Sequence, residues 1–532
     1  MGCRDSEVTN TRAEAEPPGQ AMAAGLGPLL KTFFEAVDPP ARQTAIAAIR
    51  AAAPDLQDVE RGLRQGRNYP AHAPKGWQIF THTGSDGKDR PYHVYIPKGY
   101  DPARKHPAIV QLHGGVSRAN LLREVELTPI RADVKDADRY GWIQIIPLGQ
   151  RGATWFDRVG MANVQAQLAA VKRRYNVDED RVFLGGFSDG GSGALIMGLY
   201  YPTPWAGLIA LSGSIVVAIG APDEAFPANL SNRPVHAANG GIDPLYPSAL
   251  QKIFIDQLRE QSARIAWTDY PASGHDGSYT EQEIPKSNQF VLETVRDPSP
   301  RHVVWETVNP KVGRCDWVRI DEVRDVGNNR GPEPSNLVLV GPPQFAIIHD
   351  PGFAGPGLRV RQVPPGSLAE TAGLQSDDVL TRLDGVEIKT TADAQNVGLT
   401  KILTMKKGDM VRGEYRRGET NHSFEFPVPE LPRVPLFKRT GPAGRVDVTA
   451  TGNRVDVTAR SVARYTLLIR REMFDLDEPI QVFTNGAESF NARVEPDLDF
   501  MLEQAGEDDD RSAVYTAKIE IQVLPGEAPG RH

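Results

Sequence analysis

Between residues 76 and 296, short apolar runs alternate with stretches of helical periodicity, and this alternation restricts the fold more than any other feature of the chain. The runs are 108–112, 143–146, 182–184, 208–211 and 235–237. Each is too short for a helix and is apolar at consecutive positions, the pattern of strands buried on both faces of a parallel sheet. Between them, 161–175, 191–200 and 248–262 carry helical spacing. Parallel strands need long crossovers, and helices on both faces of the sheet supply them, so a three-layer α/β domain is expected. The segments 77–82 and 92–96 read as a pair of edge strands joined by a turn at Gly84, Ser85, Asp86 and Gly87.

With 532 residues, the chain has room for roughly three to four domains. Residues 1–20 read as a disordered leader. A helical prefix over 21–70 is apolar at Leu29, Phe33, Ala36 and Val37, then at Ala45, Ile46 and Ile49. Pro39 and Pro40 read as a break between two helices, and Pro54 as the break before a third. The α/β domain spans 71–298. After Pro298 the texture turns to β, with strands expected at 302–307 and 315–320. Two such strands are marginal alone. The expected solution is a discontinuous β-sandwich of 299–335 with 431–526, interrupted by a separate domain at 336–430. Residues 507–511 read as a loop and the end after Leu524 as a tail.

Composition excludes several classes. A net charge of −8 offers no general attraction to nucleic acid. The longest uncharged stretch, between Asp189 and Asp223, is split by Pro202 and Pro204, so no transmembrane helix is expected. Cys3 and Cys315 are the two cysteines. They cannot build a disulfide scaffold or a Cys-rich zinc site, and Cys315 reads as an inert buried thiol. No metal or cofactor is expected. Met1-Gly2-Cys3 before a polar stretch fits a lipoprotein's acylated Cys without its signal. With Ser6 it also fits a myristoylation pattern, and an incidental start is the third reading. No signal peptide is visible.

The chemistry concentrates around Gly186-Phe187-Ser188-Asp189-Gly190, which follows the strand 181–184 and opens a small-residue helix. That is the context of a nucleophile elbow, a tight turn that lifts the Ser188 hydroxyl above the sheet. A serine needs a base, and the base needs an orienting acid. His275, in the loop after the strand-like segment 265–270, is the base candidate. Asp243, in the turn after 235–238, is the acid candidate, with Asp276 as its rival. His236 lies within a strand and reads as packed there. Backbone N–H groups of Gly114 or Gly115, in His113-Gly114-Gly115, and of Asp189 are the oxyanion-hole candidates. His113 reads as a prop for that loop, and Trp155 as either a substrate-pocket or a core residue.

Taken together, His113-Gly114-Gly115, Trp155, the stretch 175–191, Asp243 and His275 resemble α/β-hydrolases of the polyhydroxybutyrate-depolymerase, feruloyl and acetylxylan esterase type. The resemblance covers about 220 residues. It implies an α/β-hydrolase three-layer sandwich that hydrolyses small or polymeric carboxylic esters through an acyl-enzyme, without a metal. His113-Gly114-Gly115-Val116 departs from the pattern, since many depolymerases carry Cys directly after His-Gly, where this chain has Gly115. Prolyl-oligopeptidase-type peptidases share the order Ser, acid, His. They usually carry a large N-terminal propeller, for which this chain has no room, so an ester substrate is favoured. A silent scaffold that recruits peptides is the non-enzymatic alternative.

Residues 357–360, 363–374 and 377–385, with Lys407-Gly408-Asp409, resemble a bacterial PDZ domain. That implies binding of an extended peptide, with Gly355, Pro356, Gly357 and Leu358 as the peptide loop. Pro356 lacks one N–H donor there, and a structural or substrate-shielding role is the other reading. The expected fold is thus an α/β-hydrolase domain with N-terminal helices, a PDZ domain and a C-terminal β-sandwich. The esterase resemblance and Cys3 together imply export, whether periplasmic, secreted or lipid-anchored.

Overall fold

The computed structural model describes residues 25–132, 134–327, 329–340, 344–430 and 433–525. The expected leader 1–20 and Cys3 lie outside the described residues. Among the described residues, 25–67 with 496–514 forms one compact unit, and 68–495 with 515–525 forms the other.

In the first unit α1 (Leu26–Glu35), α2 (Pro39–Ala51) and α3 (Leu56–Gln65) gather around Leu30, Phe33, Ile46, Ile49 and Leu63. Pro39 and Pro40 begin α2 instead of only separating helices. Asp38 caps it by accepting from Ala41 N at 2.8 Å, and proline at the first turn gives up no needed donor. Asp55 caps α3 in the same way. A helix far along the chain, Leu498–Asp508, completes this core through Met501 and Leu502. That corrects two expectations. Residues 507–511 are not simply a loop, because the helix runs to Asp508 and stops where Asp509 turns left-handed (φ 47°). Residues 496–514 also leave the β-rich unit, because the helix buries its apolar side among α1–α3.

The second unit is built on an eight-stranded sheet in the order β1-β2-β4-β3-β5-β6-β7-β8. Its strands and helices run β1 (Gly76–Thr83), β2 (Asp89–Ile96), β3 (His106–Leu112), α4 (Glu124–Ala132), α5 (Lys135–Tyr140), β4 (Ile143–Ile146), α6 (Arg158–Lys172), β5 (Val177–Phe187) and α7 (Asp189–Tyr200). They continue through β6 (Gly207–Leu211), β7 (Val235–Gly240), α8 (Ser248–Glu260), β8 (Ile265–Tyr270) and α9 (Thr280–Glu293). β2 alone runs opposite to the others, pairing antiparallel with β1 and with β4, and β3 to β8 pair in parallel. Only β1 of the expected edge pair is an edge, since β2 also pairs with β4. Successive side chains point to opposite faces. Val110, Leu112, Val182 and Leu184 pack with α6, α7 and α8 on one side. Ile109, Phe183 and Ile209 meet α5 and α9 on the other. α4 and α9 went unforeseen because Pro129 and Pro285 lie inside them, where proline normally argues against a helix.

Beyond α9, β9 (His302–Thr307), β10 (Arg314–Cys315) and β11 (Val318–Val323) open the β-rich region. β12 (Val338–Val340) leads into a domain of β13 (Ile348–His349), β14 (Leu358–Gln362), α10 (Leu368–Thr371), β15 (Val379–Leu383), β16 (Val386–Glu387), α11 (Thr391–Thr400), β17 (Met410–Arg417) and β18 (Thr420–Pro427). β19 (Arg433–Pro435) leads out and pairs with β12. This ribbon is seated on α8: Gln257 accepts from Val338 N at 2.7 Å and donates to Val338 O at 2.9 Å. β20 (Gly444–Thr451), β21 (Arg454–Arg460), β22 (Val462–Ile469), β23 (Ile480–Thr484), β24 (Ala487–Ala492) and β25 (Ala517–Gln522) follow. They form sheets β24-β23-β21-β20-β9 and β10-β11-β22-β25, so the early strands pair with strands more than a hundred residues later. β9 is an edge, and the α/β domain covers it. Asn229 and Asn232 exchange hydrogen bonds with the backbone of Glu306 and Val304, supplying donors and acceptors that a neighbouring strand would give.

Candidate active site

Ser188 stands between β5 and α7 with φ 60° and ψ −122°, a strained conformation for a residue with a Cβ. The turn closes because its glycines admit backbone where a side chain would collide. A Cβ on Gly186 would lie 2.2 Å from Leu112 O, and one on Gly190 2.0 Å from the same oxygen. Ser188 N donates to Leu211 O at 2.9 Å, tying the turn to β6.

His275 follows β8 and spans the gap between the other two candidates. Its Nε2 accepts from Ser188 Oγ–H at 2.8 Å, and its Nδ1–H donates to Asp243 Oδ2 at 2.7 Å. Asp243 is fully buried in the turn after β7. Its second oxygen accepts from Leu245 N at 2.8 Å and Tyr246 N at 2.9 Å, so its carboxylate is fully engaged and fixed in direction. Phe187 and Tyr246 flank the imidazole at ring distances of 5.3 and 5.8 Å. The rival Asp276 does not orient His275. It caps its own turn by accepting from Ser278 N, and that bond holds its carboxyl below the usual range. His236 is buried in β7 against Glu283, away from Ser188.

The loop after β3 is held from three directions. His113 Nδ1–H donates to Gly114 O at 2.8 Å while Nε2 accepts from Gly149 N at 3.0 Å. Both bonds suit the neutral ring, and burial pushes its pKa down. Asp189 reaches back from α7 to accept from Val116 N at 2.9 Å. Gly114 lies against the nucleophile, where a Cβ would come within 3.0 Å of Ser188 Cβ and 3.5 Å of its Oγ. Gly115 takes a left-handed φ of 67° and faces Arg118.

Trp155 is not a pocket residue. It is 1% exposed, donates to His113 O at 2.8 Å and fills the space left by Gly149 and Gly193, so it buttresses the loop from inside the core. The cavity beside Ser188 and His275 lies elsewhere. It measures about 620 Å³, and its lining includes Phe187 and Gly277, next to those residues in sequence, and Gln111, Gln144, Ile209 and Val291. These residues were invisible as a group because they sit at alternate positions of separate strands and on the unforeseen α9.

The expected peptide loop is also displaced. Gly355, Pro356 and Gly357 belong to the connection between β13 and β14, and Leu358 is the one member of the four that lines the groove. The groove walls are instead 344–349 and α11. The sequence signal for this wall is the apolar run Phe345-Ala346-Ile347-Ile348, too short to show strand alternation by itself.

The fold and these domains define an α/β-hydrolase unit carrying a PDZ domain. Residues 154–291 match the family model described as phospholipase/carboxylesterase, and residues 359–399 match a PDZ-domain model. The chain is similar to acyl-protein thioesterase 1 of Neurospora crassa, 33% identical over 119 residues that cover 22% of this chain and 47% of that protein. It is also similar to acyl-protein thioesterase 1 of Gibberella zeae, 29% identical over 113 residues covering 21% and 47%. This chain spans about half the length of the curated relatives it matches. Among solved structures a thermostable esterase is similar, with 20% identity and a TM-score of 0.35 over 41% of this chain and 63% of that one.

Proposed function

We propose that the chain hydrolyses carboxylic esters through an acyl-enzyme formed on Ser188. The observation that carries this reading is the continuous relay from Ser188 Oγ through both nitrogens of His275 to the buried Asp243. Ser188 Oγ attacks the ester carbonyl as His275 Nε2 takes its proton, and Asp243 holds the tautomer that leaves Nε2 free to accept. The N–H of Asp189, with that of Gly115 or Gly114, stabilises the oxyanion. His275 then protonates the leaving alcohol, and water enters by the same route in reverse. The family match of 154–291 supports this chemistry. The thioesterase relatives extend it to thioesters, whose carbonyl the same arrangement can attack.

The test is hydrolysis of p-nitrophenyl acetate and butyrate by the full chain and by Ser188→Ala. The expected result is turnover that falls at least about 10³-fold in the variant. Cleavage of peptide anilides without ester turnover would move the assignment to a peptidase.

No helix among the described residues is long and apolar enough to cross a membrane. Export with lipid attachment at Cys3 is the localisation we propose, supported by the residues around Cys3 alone. The mass of the protein isolated from its host checks it. We also propose that the PDZ groove takes an extended peptide.

A further inference from the structure

The PDZ groove has a wall that the PDZ domain does not supply. The cavity of about 440 Å³ runs between Phe345, Ile347 and His349 on one side and Ala394, Gly398 and Ile402 on the other, and Pro244 closes it. Pro244 directly follows Asp243, whose carboxylate holds His275. The arrangement is anchored: α8, which begins four residues after Pro244, packs on the short turn Ile402–Thr404 that follows α11. On either side of Asp243, Ile242 is 38% exposed and Leu245 60%. Apolar side chains at Ile242, Pro244 and Leu245 therefore surround Asp243 in sequence, and Pro244 belongs to the groove.

The groove also indicates what kind of molecule lies in it. Among the described residues no Asp, Glu, Lys or Arg lines it, so a charged occupant would lose hydration without gaining a partner there. Among the described residues β13 pairs only with β14, leaving its other edge free to pair with an added strand. Strand addition supplies main-chain hydrogen bonds, and the apolar wall of α11 selects side chains.

Resting on the ester-hydrolase reading, we propose that the natural substrate is an ester borne on a hydroxyl side chain of an extended, apolar polypeptide. The polypeptide lies in the groove between 345–349 and α11, and its ester reaches Ser188 across Ile242, Pro244 and Leu245. Ser188 Oγ forms a bond to the acyl carbon, the bond from that carbon to the peptide's side-chain oxygen breaks, and His275 delivers the proton to that oxygen. Water then releases the acyl group as a carboxylic acid, and the polypeptide leaves with its hydroxyl restored.

The experiment uses the full chain and blocked peptides of about ten residues. Each carries one O-butanoyl serine, with either Val/Leu arms or Glu/Gly arms. The apolar-armed esters are expected to show a kcat/KM about 10-fold or more above the polar-armed ones, a difference the groove's apolar contacts can supply. Gly398→Phe fills the groove with little risk to the fold, because a Cβ there meets nothing within 4 Å. It should bring that ratio close to one. Anisotropy with a fluorescent, ester-free apolar peptide should show binding to the native chain and its loss in the variant. Equal rates for both peptide classes, or a preference that survives Gly398→Phe, would overturn the proposal even if the peptide binds. Failure on every ester, p-nitrophenyl butyrate included, would instead remove the hydrolase reading and this proposal with it.

Discussion

Ser188 carries both the proposed chemistry and a conformational cost. Its φ of 60° with ψ of −122° is held by Leu211 and by glycines that leave no room for relaxation. Such conformations cost on the order of 1–3 kcal/mol, and glycine escapes most of that cost. Ser188→Gly is therefore expected to abolish ester turnover while raising the free energy of unfolding by about 1 kcal/mol or more. Denaturant titration checks it, and a variant less stable than the native chain would contradict the strain. At this scale much was legible. A serine between two glycines after a strand is a pattern the tight turn itself demands, and Asp243 and His275 each follow a strand, in the turns where the structure brings them to Ser188. Trp155 was not legible, because nothing in the linear sequence distinguishes a tryptophan facing a pocket from one filling the gap beside Gly149 and Gly193.

Among the elements, the loop after β3 shows how side chains set the position of backbone donors. His113 bridges Gly114 O and Gly149 N as a neutral ring, and burial disfavours its protonated form. Its pKa in the folded chain lies below the value of about 6.5 expected when unfolded. The stabilisation is therefore complete above pH ~6.5 and is lost as the pH falls toward the folded value, because the unfolded chain takes the proton first. The native chain should lose more thermal stability between pH 7.5 and 5.5 than His113→Asn does. His82 and His93, whose pKa values burial also lowers, titrate in both proteins and cancel. An identical pH response would contradict the neutral bridge. Elements that contain proline in a helix, α4 and α9, and the helix Leu498–Asp508, which is assigned by its distant partners, could not be read from local periodicity.

At the scale of the whole molecule, the α/β and β-rich parts are joined by buried polar contacts that local sequence cannot announce. Arg233, before β7, donates to Asp316, between β10 and β11, with both side chains almost fully buried. Arg233 also donates to Pro202 O at 2.9 Å. Removing one partner of such a pair strands the other charge. Arg233→Met is expected to cost about 3–5 kcal/mol, and Arg233→Met/Asp316→Asn to recover part of that. Thermal unfolding of the three proteins checks it, and an additive loss in the double variant would contradict the coupling. Pairing of β9 and β11 with late strands was legible because two short strands cannot stand alone, whereas the groove shared between Pro244 and α11 depends on tertiary placement.

The central claim is that Ser188 is the acylated nucleophile. Treating the full chain with a fluorophosphonate and mapping the adduct by peptide mass spectrometry tests it most directly. One adduct per chain on Ser188, lost in His275→Ala, is the predicted result. No adduct, or modification of a different residue, would contradict it.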